Sequence, residues 1–529
     1  MKKCILQLFI FSDFNHKNTM SKQGFTIVEL LVVIVVIGIL AAITIISYAG
    51  ISQKAIVASM HSDLASAKRQ LEVFQTINGV YPTTIDCDIP DSETNQCLKT
   101  SSNNTYTTYQ ASRAYNYPTF TLYISNSSND TIYRMTNGSG SSPVQTYKQI
   151  SAGYYHGCAI AADDQAYCTG LNNNGQLGSG NLVNSAVPVP VINTGVLNGL
   201  TIKSITAGYL HNCAIASNDQ GYCWGDGVQG QLGRNSTADS SSPVALVDAY
   251  GVLGGLTIKD IQANYYNTCA IASNDNLYCW GDNIQGQIGD NSTTDRRSPV
   301  ALVDANGVLG GLTIKSVAIG YFHACVIASN DQIYCWGDNA QGQLGNNTTT
   351  DSLAPISIVD ANGILGGLSF KYIAAGSYST CAVATNDQVF CWGDNPQGQL
   401  GNNTIVDSLA PVAVTDTGNV LNGLTIKSLT AGWYHTCVIG SNDLAYCWGD
   451  GAQGQLGRNS VADSRVPVAV PATGLLAGLT LKSISAGNNY HTCTIASDDN
   501  AYCWGYNLWG QLGNNSVTRS LAPAEVVSP

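Results

Sequence analysis

Three hydrophobic rhythms follow one another along the chain. Residues 25–53 are an almost unbroken apolar run, with no Lys, Arg, Asp or His and with Glu29 as the only formal charge. A run of this length predicts a membrane-spanning helix. The spacing then changes to threes and fours. Ile56, Met60, Leu64, Ala67, Leu71 and Phe74 alternate with Lys, Arg, Asp and Glu, predicting one apolar face on a continuing helix. Helix from 25 to about 76 would be ~78 Å long. Asn78-Gly79-Val80-Tyr81-Pro82 breaks it, since Gly and Pro end helices. Residues 83–136 then read as a small β-rich head with strands over 115–125 and 131–136. Residues 137–146, opening Asn-Gly-Ser-Gly-Ser-Ser-Pro, form a linker by composition.

The third rhythm is a repeat. Fourteen of the 17 cysteines fall into seven pairs, each ten positions apart: Cys158 with Cys168, Cys213 with Cys223, Cys269 with Cys279, Cys325 with Cys335, Cys381 with Cys391, Cys437 with Cys447 and Cys493 with Cys503. Successive first cysteines are separated by 55 and then regularly 56 residues, a period that signals a propeller or solenoid. Each unit carries four strand candidates, in the second repeat near 202–207, 213–216, 221–224 and 243–247. Ser217-Asn218-Asp219-Gln220 is a turn by composition. A hairpin closed there sets Cys213 opposite Cys223, within disulfide range. Zinc is the competing reading, but it needs four converging ligands, and a ten-residue interval on paired strands offers two. Each short bridge contributes ~2–3 kcal/mol on the chain-entropy model. Cys87 and Cys97 share the spacing and clip a loop of the head. Cys4 is left over.

Composition narrows the compartment. Sixteen paired cysteines belong to an exported protein. Charged residues are only 11% of the 529, with 27 Tyr and 54 Gly, as expected of an all-β surface protein. Residues 148–529 hold 13 Lys and Arg against 26 Asp and Glu, a net of −13. This disfavours a phosphate-binding surface, so no nucleic-acid binding is expected from the repeats.

A carboxylate inside a membrane helix costs at least ~2.5 kcal/mol and is a functional site by default. Around it the chain reads Lys22-Gln23-Gly24-Phe25-Thr26-Ile27-Val28-Glu29, which resembles the N-terminus of type IV prepilins, the family of pilins and secretion pseudopilins. The resemblance implies cleavage by a prepilin peptidase between Gly24 and Phe25, and N-methylation of Phe25. It also implies pairing of Glu29 with the terminal amine of a neighbouring subunit during assembly. A buried carboxylate is tolerable beside such a cation. The pilin-like segment Asn78–Pro82 fits the same family, whereas the helix-kinking Pro of many pilins is absent. Residues 1–19 are unusual for such a leader, and translation is expected to start at Met20 or the longer leader to be removed.

The repeat motifs, AG-xx-H-x-C, Y-C-W-G and G-Q-L-G, resemble the regulator-of-chromosome-condensation repeat, which implies a seven-bladed β-propeller over 147–529. Its first blade has Thr169 where the others have Trp224, Trp280, Trp336, Trp392, Trp448 and Trp504. The strands near 147–150 and 524–527 are expected to share one blade and latch the ring. His156, His211, His323, His435 and His491 recur two residues before a cysteine; they read as structural groups bonded within their own blades rather than a metal ring. The Lys of each repeat reads as solvated. Asp226, Asp282, Asp338, Asp394 and Asp450 read as turn residues rather than calcium ligands. Recognition is expected in the variable loops after G-Q-L-G.

The expected fold class is therefore an α+β pilin, with a long N-terminal helix and a small β head, followed by an all-β seven-bladed propeller. The domains are a leader (1–24), a transmembrane and assembly helix (25–77), the head (78–136), the linker and the propeller. No catalytic motif or cofactor site is present in the sequence. The expected role is that of a minor pilin or pilin-like subunit, held first in the cytoplasmic membrane and then in a pilus, whose propeller binds an extracellular protein or surface. The alternatives are a type II secretion pseudopilin that engages cargo and a membrane-anchored propeller that never polymerises and binds or inhibits a partner.

Overall fold

The computed structural model describes residues 58–527, apart from positions 61, 79, 102, 113–118, 127–128, 137–141 and 144–145. Gly24, Phe25, Glu29, Ile56 and the predicted membrane-spanning run lie outside these residues. The chain divides into two compact units, Met1–Val144 and Gln145–Pro529.

In the first unit residues 62–78 are helical. Met60, Leu64, Ala67 and Leu71 are buried in one cluster with Tyr81, Leu98, Leu122 and Ile124, the face that the three-and-four spacing predicts. At the helix end the Asn78 side chain donates to the Phe74 carbonyl at 3.1 Å, occupying an acceptor that the last turn leaves free. Among the described residues no helix is long and apolar enough to cross a membrane.

The sheet of this unit is an antiparallel meander of β1 (Asn104–Ser112), β2 (Thr119–Asn126), β3 (Asn129–Thr136) and β4 (Ser142–Pro143). No strand is expected from the sequence before 115, because Asn-Thr-Tyr-Thr-Thr-Tyr-Gln lacks an apolar alternation. Polar contacts place β1 instead. Asp63, buried on the helix, accepts from the Ser101 amide at 2.9 Å, the Ser101 hydroxyl at 2.6 Å and Asn104 Nδ2 at 2.6 Å. β4 falls in the stretch that reads as linker and pairs with Tyr133 and Arg134. A disulfide between Cys87 and Cys97 closes the loop between helix and sheet.

The second unit is a seven-bladed propeller, each blade four consecutive antiparallel strands. The first blade comprises Tyr147–Ala152, His156–Ala161, Ala166–Gly170 and Ser185–Pro190; the last comprises Leu481–Ala486, His491–Ala496, Ala501–Gly505 and Ser520–Glu525. First strands of successive blades lie side by side around the axis. In the second blade the second and third strands are buried throughout, while fourth strands are partly exposed and carry Pro, for example Pro243 and Pro299. Pro cannot donate to a further strand, so it suits and blunts an outer edge.

Within a blade the second and third strands form a hairpin, closed in the fourth blade by Ser329-Asn330-Asp331. There Asp331 adopts φ 61°, the left-handed position of a three-residue hairpin loop. Its carboxylate accepts from Lys315 Nζ at 2.6 Å, and its carbonyl accepts the Phe370 amide of the next blade at 3.0 Å. The hairpin register sets each first cysteine directly opposite its second. All seven of these pairs are disulfides, as the ten-position spacing predicts. Cys158 is bonded to Cys168, Cys213 to Cys223, Cys269 to Cys279 and Cys325 to Cys335. Likewise Cys381 is bonded to Cys391, Cys437 to Cys447 and Cys493 to Cys503. Gly337 ends the third strand of its blade at φ 101°, where a Cβ would lie 2.3 Å from the Phe322 carbonyl oxygen, so only glycine fits.

Besides main-chain bonds between neighbouring blades, six of the seven seams share one main-chain oxygen that takes a buried side chain from the next blade. The carbonyl of the Gln in G-Q-L-G accepts the indole N–H of the following blade's Trp: Trp224 to Gln176 (3.1 Å), Trp280 to Gln231 (2.9 Å), Trp336 to Gln287 (3.0 Å), Trp392 to Gln343 (2.9 Å), Trp448 to Gln399 (2.9 Å) and Trp504 to Gln455 (2.8 Å). At most of these seams a second donor reaches the same oxygen, such as Thr268 Oγ1 to Gln231 at 3.0 Å and Asn212 Nδ2 to Gln176 at 2.6 Å. The histidines bond to that second residue. His156 Nε2 meets Asn212 Oδ1 at 2.9 Å, and His211, His323 and His435 meet Thr268, Thr380 and Thr492 at 3.0, 2.9 and 2.9 Å. These four imidazoles therefore bridge blades rather than bonding within their own. Where the next blade has Ala324, the histidine position is Asn267.

The ends do not share a blade. Seven complete blades close on each other face to face, with Tyr147 N to Asp499 O at 2.7 Å, Asn488 N to Gly153 O at 3.1 Å and Asn515 N to Ala186 O at 2.9 Å. At this seam Gly157 replaces the second donor, and Thr169 replaces Trp, donating to the Gly510 carbonyl at 2.8 Å. A cavity of about 20 Å³ remains, lined by Gly157, Thr169, Gln511 and Val526 among others. His491 Nε2 is buried there without a hydrogen-bond partner among the described residues, its Nδ1 instead meeting the Asn489 carbonyl at 3.1 Å.

A Cβ at Gly157 would have only ordinary contacts, 3.6 Å to the Gln511 carbonyl oxygen and 3.7 Å to that of Ser151. Gly157→Thr is expected to raise stability by about 1 kcal/mol over the shape-matched Gly157→Val, because only the hydroxyl joins His491 to Gln511. Denaturant midpoints of the two variants measure this. Equal midpoints would show that the ring does not draw on this bond.

Candidate functional site

The loops between first and second strands all emerge on one face of the propeller, with the long loops between third and fourth strands. Each first loop places two residues before its His position, directly after its Gly (Asn264 in the third blade) except in the seventh blade, where Asn488 intervenes: Tyr154-Tyr155, Tyr209-Leu210, Tyr265-Tyr266, Tyr321-Phe322, Ser377-Tyr378, Trp433-Tyr434 and Asn489-Tyr490. Eleven of these fourteen are aromatic.

The first residues of each pair meet over the axis. Tyr154 and Tyr209 centroids are 4.1 Å apart, and Tyr265 packs against Tyr321 with their hydroxyls hydrogen-bonded. Blades five and seven contribute only Ser377 and Asn488, and Trp433 between them fills the space. Its ring reaches Tyr154 at 5.4 Å and Tyr321 at 6.4 Å, each two blades away. Asn488 Nδ2 spans the opening to Asn264 Oδ1 at 2.5 Å. The second residues form an outer ring against the first, edge-on at Tyr321–Phe322 (4.2 Å, 86°), the geometry favoured by ring quadrupoles, and stacked at Trp433–Tyr434 (5.7 Å, 25°). Trp433 lies parallel to Tyr490 at 6.2 Å, and Trp509 and Tyr506 extend the surface beside Tyr155. Tyr265 and Tyr490 hold φ of 26° and 51°, a backbone strain that bulky residues seldom carry and that clusters at functional sites.

Beneath the outer ring lie Asp226, Asp282, Asp338, Asp394 and Asp450, four of them 4–6% exposed and Asp394 half-buried. Four cap their own loops by accepting the amide two residues on, such as Ala452 N to Asp450 at 2.8 Å, a turn role. Each has a second carboxylate nearby. Asp239, Asp295, Asp351, Asp407 and Asp463 accept the loop amides of Gly227, Asn283, Asn339, Asn395 and Gly451 at 2.8–3.0 Å. Burial, with the Asp407 charge, raises Asp394 to about 6; Asp226 and Asp450 are raised by burial first and by their neighbouring carboxylates, with loop amides opposing. Tyr378 and Tyr266 are pushed up to about 12, by burial first and then by surrounding phenols and these aspartates.

The repeat lysines sit at the opposite mouth. Each is ion-paired within its blade to the hairpin Asp, as in Lys203–Asp219 and Lys259–Asp275 at 2.6 Å. Exposed pairs of this kind contribute little to stability. Among the described residues no group of three or more His, Cys, Asp or Glu is placed to hold a metal ion. The aromatic convergence is the feature that sequence reasoning missed. Its signal was present in the two positions before each His, which the repeat motif leaves as arbitrary.

With this geometry in place, the chain belongs to the RCC1-like domain family, whose model matches residues 192–528; models of the regulator of chromosome condensation (RCC1) repeat match 147–176 and 163–215. A model of the prokaryotic N-terminal methylation motif matches residues 19–45. The ultraviolet-B receptor UVR8 of Arabidopsis thaliana is 32% identical over 326 residues, 61% of this chain and 70% of that protein. The probable E3 ubiquitin-protein ligase HERC6 of Homo sapiens is 26% identical over 56% of this chain, which spans only 27% of the ligase. Yeast RCC1 (Prp20), solved with Kap60, superposes with a TM-score of 0.58 at 19% identity, covering 73% of this chain and 84% of that one, a likeness of fold.

The buried histidines are expected to make the ring acid-sensitive. Burial lowers His211, His323 and His435 to about 3 and His156 and His491 to about 4. A depressed histidine contributes its full stability above about 6.5 and loses it as pH falls toward the folded value. Each costs up to about 1.4 kcal/mol per pH unit in that window. The raised aspartates act oppositely between about 6 and 4 but are less shifted. The thermal midpoint is expected to fall from pH 7 to pH 4.5, and His323→Gln to flatten the slope. A midpoint unchanged across that range would contradict neutral, buried imidazoles.

Proposed function

We propose that this chain is a pilin-like subunit that carries an RCC1-like propeller to the cell exterior, where the propeller recognises a protein. One observation carries the reading: the N-terminal methylation motif over 19–45 is joined to a ring holding seven disulfides. The motif addresses the chain to prepilin peptidase and the membrane, and disulfides persist only outside a reducing cytosol. In this reading Gly24 and Phe25 flank the cleavage, Phe25 is methylated, and Glu29 pairs with a neighbouring pilin subunit. The ring supplies binding rather than catalysis. A half-exposed aromatic surface on a rigid scaffold marks an interaction site. The family precedent is consistent, since yeast Prp20p is described with binding to Gsp1p and histones and RCC1 in complex with Kap60.

Mass spectrometry of sheared surface filaments tests the assembly. The expected product begins at N-methylated Phe25, and Glu29→Ala is expected to abolish its incorporation while the propeller stays folded. An intact leader, or protein confined to the membrane, would remove filament assembly and favour a plain anchored propeller.

A further inference from the structure

Resting on the recognition role proposed above, we infer that the aromatic face docks a protein segment bearing arginine, its guanidinium groups lying on the outer ring of Tyr266, Phe322, Tyr378, Tyr434 and Tyr490. The rings are half-buried, so part of each stays exposed. Aromatic faces attract cations, and a planar guanidinium stacks on them while its edge keeps its donors. No cation among the described residues does this there. The one cation–π contact among them, Lys371 over Tyr372 at 5.5 Å, lies at the opposite mouth with the other lysines.

The charge under the rings has no counterpart either. The carboxylates at Asp226, Asp282, Asp338, Asp394 and Asp450 have other carboxylates as their charged neighbours. The arginines there are engaged with other groups: Arg234, Arg458 and Arg519 donate to the Ala238, Ala462 and Ala452 carbonyls at 2.7, 2.5 and 3.2 Å, and Arg296 pairs with Asp290 at 2.5 Å. A negative layer under electron-rich rings, its five carboxylates ion-paired with no cation among the described residues, is complementary to a positive partner.

One unpartnered polar atom adds to this. Asn489 is 2% exposed, and its Oδ1 accepts nothing among the described residues. A buried acceptor left open costs free energy until filled. A guanidinium N–H supplies the complement.

The test is calorimetric titration of the full chain in detergent with Gly-Arg-Gly-Arg-Gly, its Lys and Glu counterparts, and phosphocholine. Saturable binding of the Arg peptide is expected, weaker for Lys and none for Glu. The double variant Tyr378→Ala/Tyr434→Ala should weaken it about tenfold or more, on the scale of buried aromatic hot spots. Tyr378→Phe/Tyr434→Phe should retain it, as should Lys203→Ala at the other mouth. Thermal midpoints confirm that each variant folds. No saturable binding of the Arg peptide overturns the inference, as does equal binding of the Glu peptide, phosphocholine binding in its place, or unchanged affinity in the Ala variant. Methylated Phe25 in filaments alongside such a failure would leave the proposed function standing; arginine binding by a chain with an intact leader would do the reverse.

Discussion

One acceptor holds the ring together: the carbonyl of the Gln in each G-Q-L-G loop. In six of seven seams it takes the indole N–H of the next blade's Trp, and in most a hydroxyl or amide as well. A buried carbonyl left open would be costly, and a Trp buried between two sheets needs an acceptor for its N–H. The bond therefore determines how closely blades approach and at what height. Hydrophobic clusters that mix adjacent blades, such as Ile271 and Ile288 with Val317 and Trp336, form around that fixed point.

The aromatic face follows from this seam. With blades locked at one spacing, their first loops project to one axis, and side chains from seven separate repeats share one volume. Whether that volume closes depends on size. Five large residues would crowd it if the remaining positions were also large; Ser377 and Asn488 leave space that Trp433 occupies. The strained backbone at Tyr265 and Tyr490 is the local cost of this convergence. The same rigidity holds carboxylates beneath the rings, where burial opposes their ionisation.

The seventh seam shows the rule by departing from it. Gly157 and Thr169 leave the joint between first and last blades with a small void and an idle imidazole nitrogen at His491. Closure there relies on main-chain bonds and on the cluster of Tyr147, Ala161, Ile495 and Val526. Covalent stapling acts along a different direction. Each disulfide, such as that of Cys158 and Cys168 or of Cys437 and Cys447, joins strands of a single hairpin. It stabilises blades and leaves seams to hydrogen bonds and packing.

Much of this was legible in the chain. Ten positions from cysteine to cysteine, with a polar turn containing Asp between them, define a hairpin and its bridge, because that geometry is local. A regular 56-residue period defines the blades, and Met60, Leu64 and Leu71 define a buried helix face. The sequence also separates an acidic β-rich module from an apolar N-terminal run. What it left open involves partners far apart along the chain. The histidines read as bonded within their own blades, and only the packed ring turned four of them toward the next one, 56 or 57 positions away. β1 is ordered by Asp63, 41 positions before Asn104. The closing of the ring by whole blades and the meeting of Trp433 with Tyr154 were decided by tertiary structure alone. Periodicity records which side a residue faces within its own element, while only packing determines what stands on that side.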